Sequence, residues 1–378
     1  MHRFTLFLTF GYFVFSCQQP SPEITREDLP GWEIKDFVKI DSVNPFLQPS
    51  PDLIFRCPLS GREIHWEARN VLNPSAVVRD NKVHLLYRAQ DSSGTSRIGL
   101  AVSDDGLHFE KRAEPVFYPD DDNMKKYEWH YQKGQGMLEG QDYFDGAEDP
   151  RIVENDEGVY LMTYTSYDGK TARLCHASSP DLINWTKHGL VLSTERFRDT
   201  WSKSGAIVSR LENDRIIATK INNKYWMYYG DTDIFMATSD DLVDWQPAIN
   251  EESGARIEVL HPRMGFFDSR LVEPGPYALL RENGIVLIYN GSNAANFNDP
   301  ELPKFTYAAG QALFDKNYPY KLIDRSSSYF IHPDKDYEKI GEVNEVCFVE
   351  GMVYFKNKWF LYYGTADSKI AVAVSDQI

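Results

Sequence analysis

The chain has 378 residues and carries 56 acidic against 40 basic side chains, a formal charge of -16 at pH 7. That balance excludes nucleic acid as its partner, because phosphate binding needs a basic surface. Its 4 cysteines are too few and too scattered for a disulfide framework, and no CxxC or HExxH spacing offers a zinc site.

At the amino terminus, His2 and Arg3 precede an apolar run from Phe4 to Phe15 that is too short to cross a bilayer. Val14-Phe15-Ser16-Cys17 reads as a lipoprotein processing box. Residues 1–17 are therefore expected to be a signal peptide with a lipidated Cys17, and residues 18–30, rich in Pro, Ser and acids, a tether. This predicts a lipid-anchored protein of the periplasm or cell envelope that meets the membrane only through its lipid. The absence of an acidic run after Cys17 favours a periplasm-facing anchor. Cys57, Cys175 and Cys347 then read as buried thiols.

Residues 31–378 read as one all-β domain. Short runs rich in aromatic and β-branched residues recur from Val83 to Tyr87, Val159 to Tyr164, Tyr225 to Tyr229, Ile285 to Tyr289 and Trp359 to Tyr363, preceded by polar turns such as Asp80-Asn81-Lys82 and Asn222-Asn223-Lys224. Between them a phrase repeats: Ala101-Val102-Ser103-Asp104-Asp105-Gly106-Leu107-His108-Phe109, Ala177-Ser178-Ser179-Pro180-Asp181-Leu182-Ile183-Asn184-Trp185 and Ala237-Thr238-Ser239-Asp240-Asp241-Leu242-Val243-Asp244-Trp245, with a truncated copy, Ala373-Val374-Ser375-Asp376. Each copy is a strand end, a turn whose Ser and Asp can bond the backbone, and an aromatic plug. The copies lie about 76, about 60 and about 136 residues apart, room for five blades of four strands. A five-bladed β-propeller is therefore expected over a β-sandwich, since sandwiches rarely repeat a whole phrase.

Propellers hold ligands at the mouth of the central channel, so polar residues at the starts of equivalent strands are the candidates. In chain order these are Asn73, Arg88, Asp91, Asp149, Arg151, Lys203, Asp231, Asp268, Glu273, Asn290 and Asp367. Asp149 stands before Pro150, which predicts extended backbone there. Trp201, Trp226 and Tyr307 are candidates for stacking on a sugar, although a strand aromatic such as Trp226 reads more simply as core. A long loop from Tyr118 to Gln141 interrupts the repeat and is expected to wall distal subsites. Acidic balance with abundant aromatic rings suits a carbohydrate ligand.

The ordered phrases NPSAVV, LLYRAQD, EDPRI, SKSGAI, YWMYYGD, FFDSRLVEPGP, LIYNGSN and YYGTADSKIAVA resemble glycoside hydrolase family 130, from about Arg69 to the carboxyl terminus. The resemblance implies a five-bladed propeller acting on β-mannosides by phosphorolysis or hydrolysis. The residues themselves show no oxygen-ligand loop with metal spacing, so no metal or cofactor is expected. The resemblance also implies that Asp149 is the proton donor. The phosphorylases' phosphate-holding Arg and His correspond to Tyr229 and Asn290, which cannot grip a dianion. Glu273 adds an acid where phosphorylases have none. That is the hydrolase pattern: Asp149 as acid, Glu273 and Asp231 as base and water-positioner, with inversion.

Asp231 departs from the glutamate common in that branch, so binding a hydroxyl and capping a turn stay open for it. Arg151 reads either as a hydroxyl donor or as a neutraliser of Asp149. The expected activity is an exported β-mannosidase, favouring β-1,2 linkages of oligosaccharides. A phosphorylase releasing mannose 1-phosphate and a catalytically silent glycan-binding lipoprotein are the alternatives.

Overall fold

The computed structural model describes residues 31–58, 61–119, 146–167 and 171–376. The expected signal peptide, Cys17, the tether and residues 120–141 of the expected subsite loop lie outside them.

Local chemistry sets the strand ends. Two-residue hairpins whose turn residues both adopt positive φ match the twist of the strands they join, which favours Asn and Asp. Asp80-Asn81 (52° and 58°) and Asn213-Asp214 (52° and 64°) are such turns, and Lys356-Asn357 (50° and 63°) makes a third.

The repeated phrase has one geometry in all three full copies. Ser179 Oγ accepts from the amides of Asp181 (3.2 Å) and Leu182 (2.8 Å), while Asp181 Oδ1 accepts from those of Ile183 (2.9 Å) and Asn184 (2.7 Å). Ser103 with Asp105, and Ser239 with Asp241, repeat this pattern. In two copies the aromatic plug also closes its own turn, Trp185 donating to Leu182 O and Trp245 to Leu242 O.

Five antiparallel sheets result. Blade 1 comprises Asn70–Arg79, Lys82–Gln90, Ser96–Ser103 and Glu110–Lys111; blade 2 comprises Gly146–Glu154, Tyr160–Tyr167, Ala172–Ser179 and Thr186–Leu190. Blade 3 is built from Ala206–Glu212, Tyr225–Tyr229, Ile234–Ser239 and Trp245–Pro247. In blade 4 the inner strand is broken into Leu271–Pro274 and Ala278–Arg281, followed by Gly284–Ser292, Tyr307–Phe314 and Leu322–Arg325. Blade 5 takes Cys347–Phe355, Lys358–Thr365 and Lys369–Ser375 from the carboxyl end and Val38–Lys39 from the amino end, a closure that leaves no open seam.

Contacts between neighbouring blades close the ring. Ser75 Oγ of blade 1 accepts from Ile152 N of blade 2, and Thr163 of blade 2 donates to Gly205 O at the start of blade 3. Val208 of blade 3 pairs with Ala278 of blade 4, and Asn290 of blade 4 exchanges two hydrogen bonds with the Val349 backbone of blade 5. Blade 5 returns to blade 1 at Gly351, where a β-carbon would stand 2.7 Å from Pro74 O, so only glycine allows that approach. Between the sheets the second strands bury Tyr87, Tyr164, Tyr228, Tyr289 and Tyr362 completely. The five-bladed all-β propeller expected from the repeat is the observed fold. Cys57, Cys175 and Cys347 are buried.

Candidate functional site

The inner strands share a defect that builds the site. In three of them a β-bulge sets an unpaired polar residue just before Pro or Gly: Asn73 before Pro74, Asp149 before Pro150, and Glu350 before Gly351. A bulge re-aims a side chain. Asn73 and Asp149 take left-handed backbone, φ 45° and 52°, as does Ser204 (57°), which precedes Gly205 in blade 3. Asp149 is therefore not extended, because the bulge overrides the usual restriction on a residue before proline. Asn and Asp tolerate this conformation better than other side chains.

Asp149 Oδ1 accepts from Asn73 Nδ2 at 2.8 Å and from Arg88 at 3.1 Å, and Oδ2 lies 3.8 Å from Lys203 Nζ. Arg88 also donates to Glu148 Oε1 (2.8 Å) and Ser96 Oγ (2.9 Å), so each arm of its guanidinium is committed. Glu273 accepts a hydrogen bond from Ser204 Oγ and shares the field of Lys203 with Asp149. Asp231 stands beside Glu273, and Trp201 Nε1 donates to its Oδ2 at 2.6 Å. Asp367, in the turn after Lys358–Thr365, faces Arg88, Asp149 and Lys203.

Burial and charge separate the carboxyls. Burial alone would raise Asp149, but Arg88, Lys203 and the Asn73 hydrogen bond outweigh it and hold it at about 2. Burial pushes Glu273 up to about 7, with Asp231 adding to the shift and Lys203 opposing it. Burial likewise carries Asp367 to about 6 and Glu350 well above the ordinary carboxyl range. Lys203 pays the same burial, but Asp149, Glu273, Glu148 and Asp231 more than restore its charge.

Arg151 helps to hold Asp149 ionised, and its N–H groups are committed to protein acceptors. It donates to Gly275 O and Pro274 O, both at 2.7 Å, and to Asp149 O, and stands 3.5 Å from Glu350. It ties blades 2, 4 and 5 together at the axis, with its donors spent on carbonyls.

The structure thus brings together Asn73, Arg88, Asp149, Arg151, Lys203, Asp231, Glu273 and Asp367. Three other expected residues have their polar atoms committed to protein partners, Asn290 while standing opposite Glu273 on the neighbouring strand. Asp91 accepts from Ser93 and Thr95 in its own turn and pairs with Arg97 at 2.8 Å. Asp268 is fully buried and binds Arg263, Arg325 and the Tyr289 hydroxyl. Asn290 spends its amide on Val349, and Tyr229 is buried in the apolar core. Trp226 packs against a core cluster, whereas Trp201 is 48% exposed beside Asp231.

Sequence reasoning missed Glu148, Ser204 and Glu350. The signal for the last two was present: Ser204-Gly205 and Glu350-Gly351 follow the same polar-residue-before-turn-former rule as Asn73-Pro74 and Asp149-Pro150.

Residues 49–378 match the model of a family described as β-1,4-mannooligosaccharide phosphorylase, glycoside hydrolase family 130. Among curated proteins, the chain is 30% identical over 323 residues to a 1,2-β-oligomannan phosphorylase of Thermoanaerobacter sp. (strain X514), covering 82% of this chain and 92% of that protein. A β-1,2-mannobiose phosphorylase of the same organism is 31% identical over 333 residues, covering 84% and 93%. Among solved structures, a glycosyl hydrolase from Bacteroides ovatus is 42% identical with a TM-score of 0.84, covering 92% of this chain and 95% of that one. Another, described with the finding that the GH130 family of mannoside phosphorylases contains glycoside hydrolases that target β-1,2 mannosidic linkages in Candida mannan, is 42% identical with a TM-score of 0.85, covering 92% and 96%.

Proposed function

The chain belongs to glycoside hydrolase family 130, enzymes acting on mannosides, and from that premise we propose that it hydrolyses β-1,2-mannosidic linkages of oligosaccharides with inversion. One observation carries the choice of water over phosphate. Around the reacting position stand Glu148, Asp149, Asp231, Glu273, Glu350 and Asp367 against Arg88, Arg151 and Lys203, and both guanidiniums are already bonded to internal acceptors. A phosphate dianion needs uncommitted cationic forks and would be repelled here. Water needs only a base on one face of the sugar and an acid on the other.

In this reading Asp149 delivers the proton to the departing oxygen and Glu273, aided by Asp231, activates water. A base must be ionised, and Glu273 is mostly ionised only above its own pKa of about 7. Because Asp149, ionised in the free protein, must also take up a proton, the two requirements offset each other, and kcat/KM is expected to be level between about pH 4 and 7 and to fall roughly tenfold per pH unit above about 7. A fall that already runs tenfold per unit between pH 5 and 7, with no break near 7, removes Glu273 from the base role. Asp149 is ionised in the free protein, so it must take up its proton as the sugar binds.

Two further readings rest on particular observations. The order of acidity, Glu273 above Asp149, supports the exchanged assignment, with Glu273 as acid and Asp149 as base. The phosphorylase relatives at 30% and 31% identity support phosphorolysis, which requires product formation to depend on phosphate.

We also propose export and lipid attachment at Cys17, supported by the amino-terminal sequence alone. Cys17→Ser is expected to move the protein from the membrane to the soluble fraction on cell fractionation. An unchanged distribution contradicts it.

A further inference from the structure

The connection between the second and third strands of blade 4, residues 293–306, is much longer than its counterparts at the same end of blades 1, 3 and 5, residues 91–95, 230–233 and 366–368. Those counterparts carry Asp231 and Asp367, so the long connection stands at the mouth of the site. It is folded tightly on itself. Buried Asn293 donates to the carbonyls of Asp299 (3.0 Å), Leu302 (3.0 Å) and Pro303 (3.1 Å) and accepts from Asp299 N (2.9 Å).

This rigid loop displays aromatic rings to solvent. Phe297 is 79% exposed and Phe305 49% exposed, and both hold left-handed backbone, φ 54° and 67°. That conformation is unfavourable for a bulky side chain, and such strain concentrates at ligand-binding positions. Gly265 N donates to Phe297 O, which brings exposed Met264 and Phe266 to the same patch.

The patch is continuous with the site. The Arg270 guanidinium lies over the Phe305 ring, 5.3 Å from its centroid. Arg270 also faces the Tyr307 hydroxyl, which in turn faces Glu273, Asp367 and Lys203. A path of side chains therefore runs from the reacting carboxyl through Tyr307 and Arg270 to the exposed rings.

We propose that Phe305, Phe297 and Arg270 form a distal subsite for a further pyranose unit of the same oligosaccharide, beyond the two that flank the cleaved bond. The inference rests on the hydrolase reading above. A pyranose presents an apolar C–H face to an aromatic ring and paired hydroxyls to a guanidinium, the two chemistries offered here.

The test compares β-1,2-linked mannobiose and mannotetraose as substrates for the full chain and its Phe305→Ala, Phe305→Leu, Phe297→Ala and Arg270→Ala variants. The subsite predicts kcat/KM on the tetraose falling about tenfold in Phe305→Ala and Arg270→Ala, through KM, with the biose unchanged. Phe305→Leu, which keeps apolar bulk without a flat ring, should lose most of the same preference. Equal rates for all variants on the tetraose overturn the subsite while leaving the hydrolase reading intact. Loss on both sugars alike also overturns it, by assigning these residues to the reacting centre or to folding. Absence of turnover on either sugar in the unmodified protein overturns the underlying reading instead. Light scattering of the unmodified chain provides a control: a dimer abolished by Phe297→Ala gives the patch to a second copy and overturns the subsite.

Discussion

Asp149→Asn and Glu273→Gln are each expected to lower kcat on β-1,2-mannobiose by about 10²–10⁴-fold, the range that a positioned acid or base contributes. Both substitutions preserve side-chain volume and hydrogen-bonding capacity. The Asn73 and Ser204 contacts that hold these positions should persist in altered polarity, and binding of the sugar should survive. The two variants part company on a substrate whose leaving group needs no proton. With 2,4-dinitrophenyl β-mannoside, Asp149→Asn should regain most of its turnover, because the acid is no longer required. Glu273→Gln should stay inactive, because water still lacks its base. The opposite pattern establishes the exchanged assignment that the free-protein acidities support. Unchanged rates for both variants would remove the pair from the chemistry altogether.

Asp268→Ala is expected to destabilise the fold by about 3–5 kcal/mol, the cost of breaking a buried ion pair from one side. Its carboxylate is fully buried and accepts from Arg263, Arg325 and Tyr289. Removing it strands two guanidiniums and a phenol in a site where burial already pushes the Tyr289 hydroxyl upward. Chemical denaturation should show a lower midpoint with an unchanged slope. The KM of whatever remains folded should match the parent. A raised KM with full stability would instead return Asp268 to the sugar-binding surface.

Asp268 and Asp149 mark how far the sequence alone distinguishes a buried ion pair from a site carboxyl. Repetition of the Ser-x-Asp turn carried the fold, because each turn satisfies its own backbone locally and needs no distant partner. The same holds for strands whose apolar runs fill the spaces between sheets. Polar residues near the axis were harder to sort. Asp149 and Asp268 both stand beside predicted strand starts, and both read as ligand contacts. What separates them is the position of cationic side chains remote in the chain or in unpredicted turns: Arg325 and Arg263 both pair with Asp268, whereas Arg88 holds one oxygen of Asp149 and Lys203 lies 3.8 Å from the other. Pairing across blades is set by the ring closure, which no single segment encodes.

Arg151 makes the same point at the axis. Its sequence neighbour Asp149 invited a pairing, yet its guanidinium reaches blade 4 carbonyls 123 and 124 residues away. Glu350 was passed over because its segment, Cys347 to Phe355, reads as a plain buried strand. The bulge that aims its carboxyl inward is visible in sequence only once the inner strands are laid side by side at their Pro and Gly positions.

The most direct test of water as the attacking species is product analysis on β-1,2-mannobiose with and without inorganic phosphate, followed by anomeric NMR. The expected result is free mannose, released first as the α-anomer, at a rate that added phosphate does not change. Mannose 1-phosphate appearing in proportion to phosphate, with no free mannose from the cleaved unit in its absence, would contradict the account.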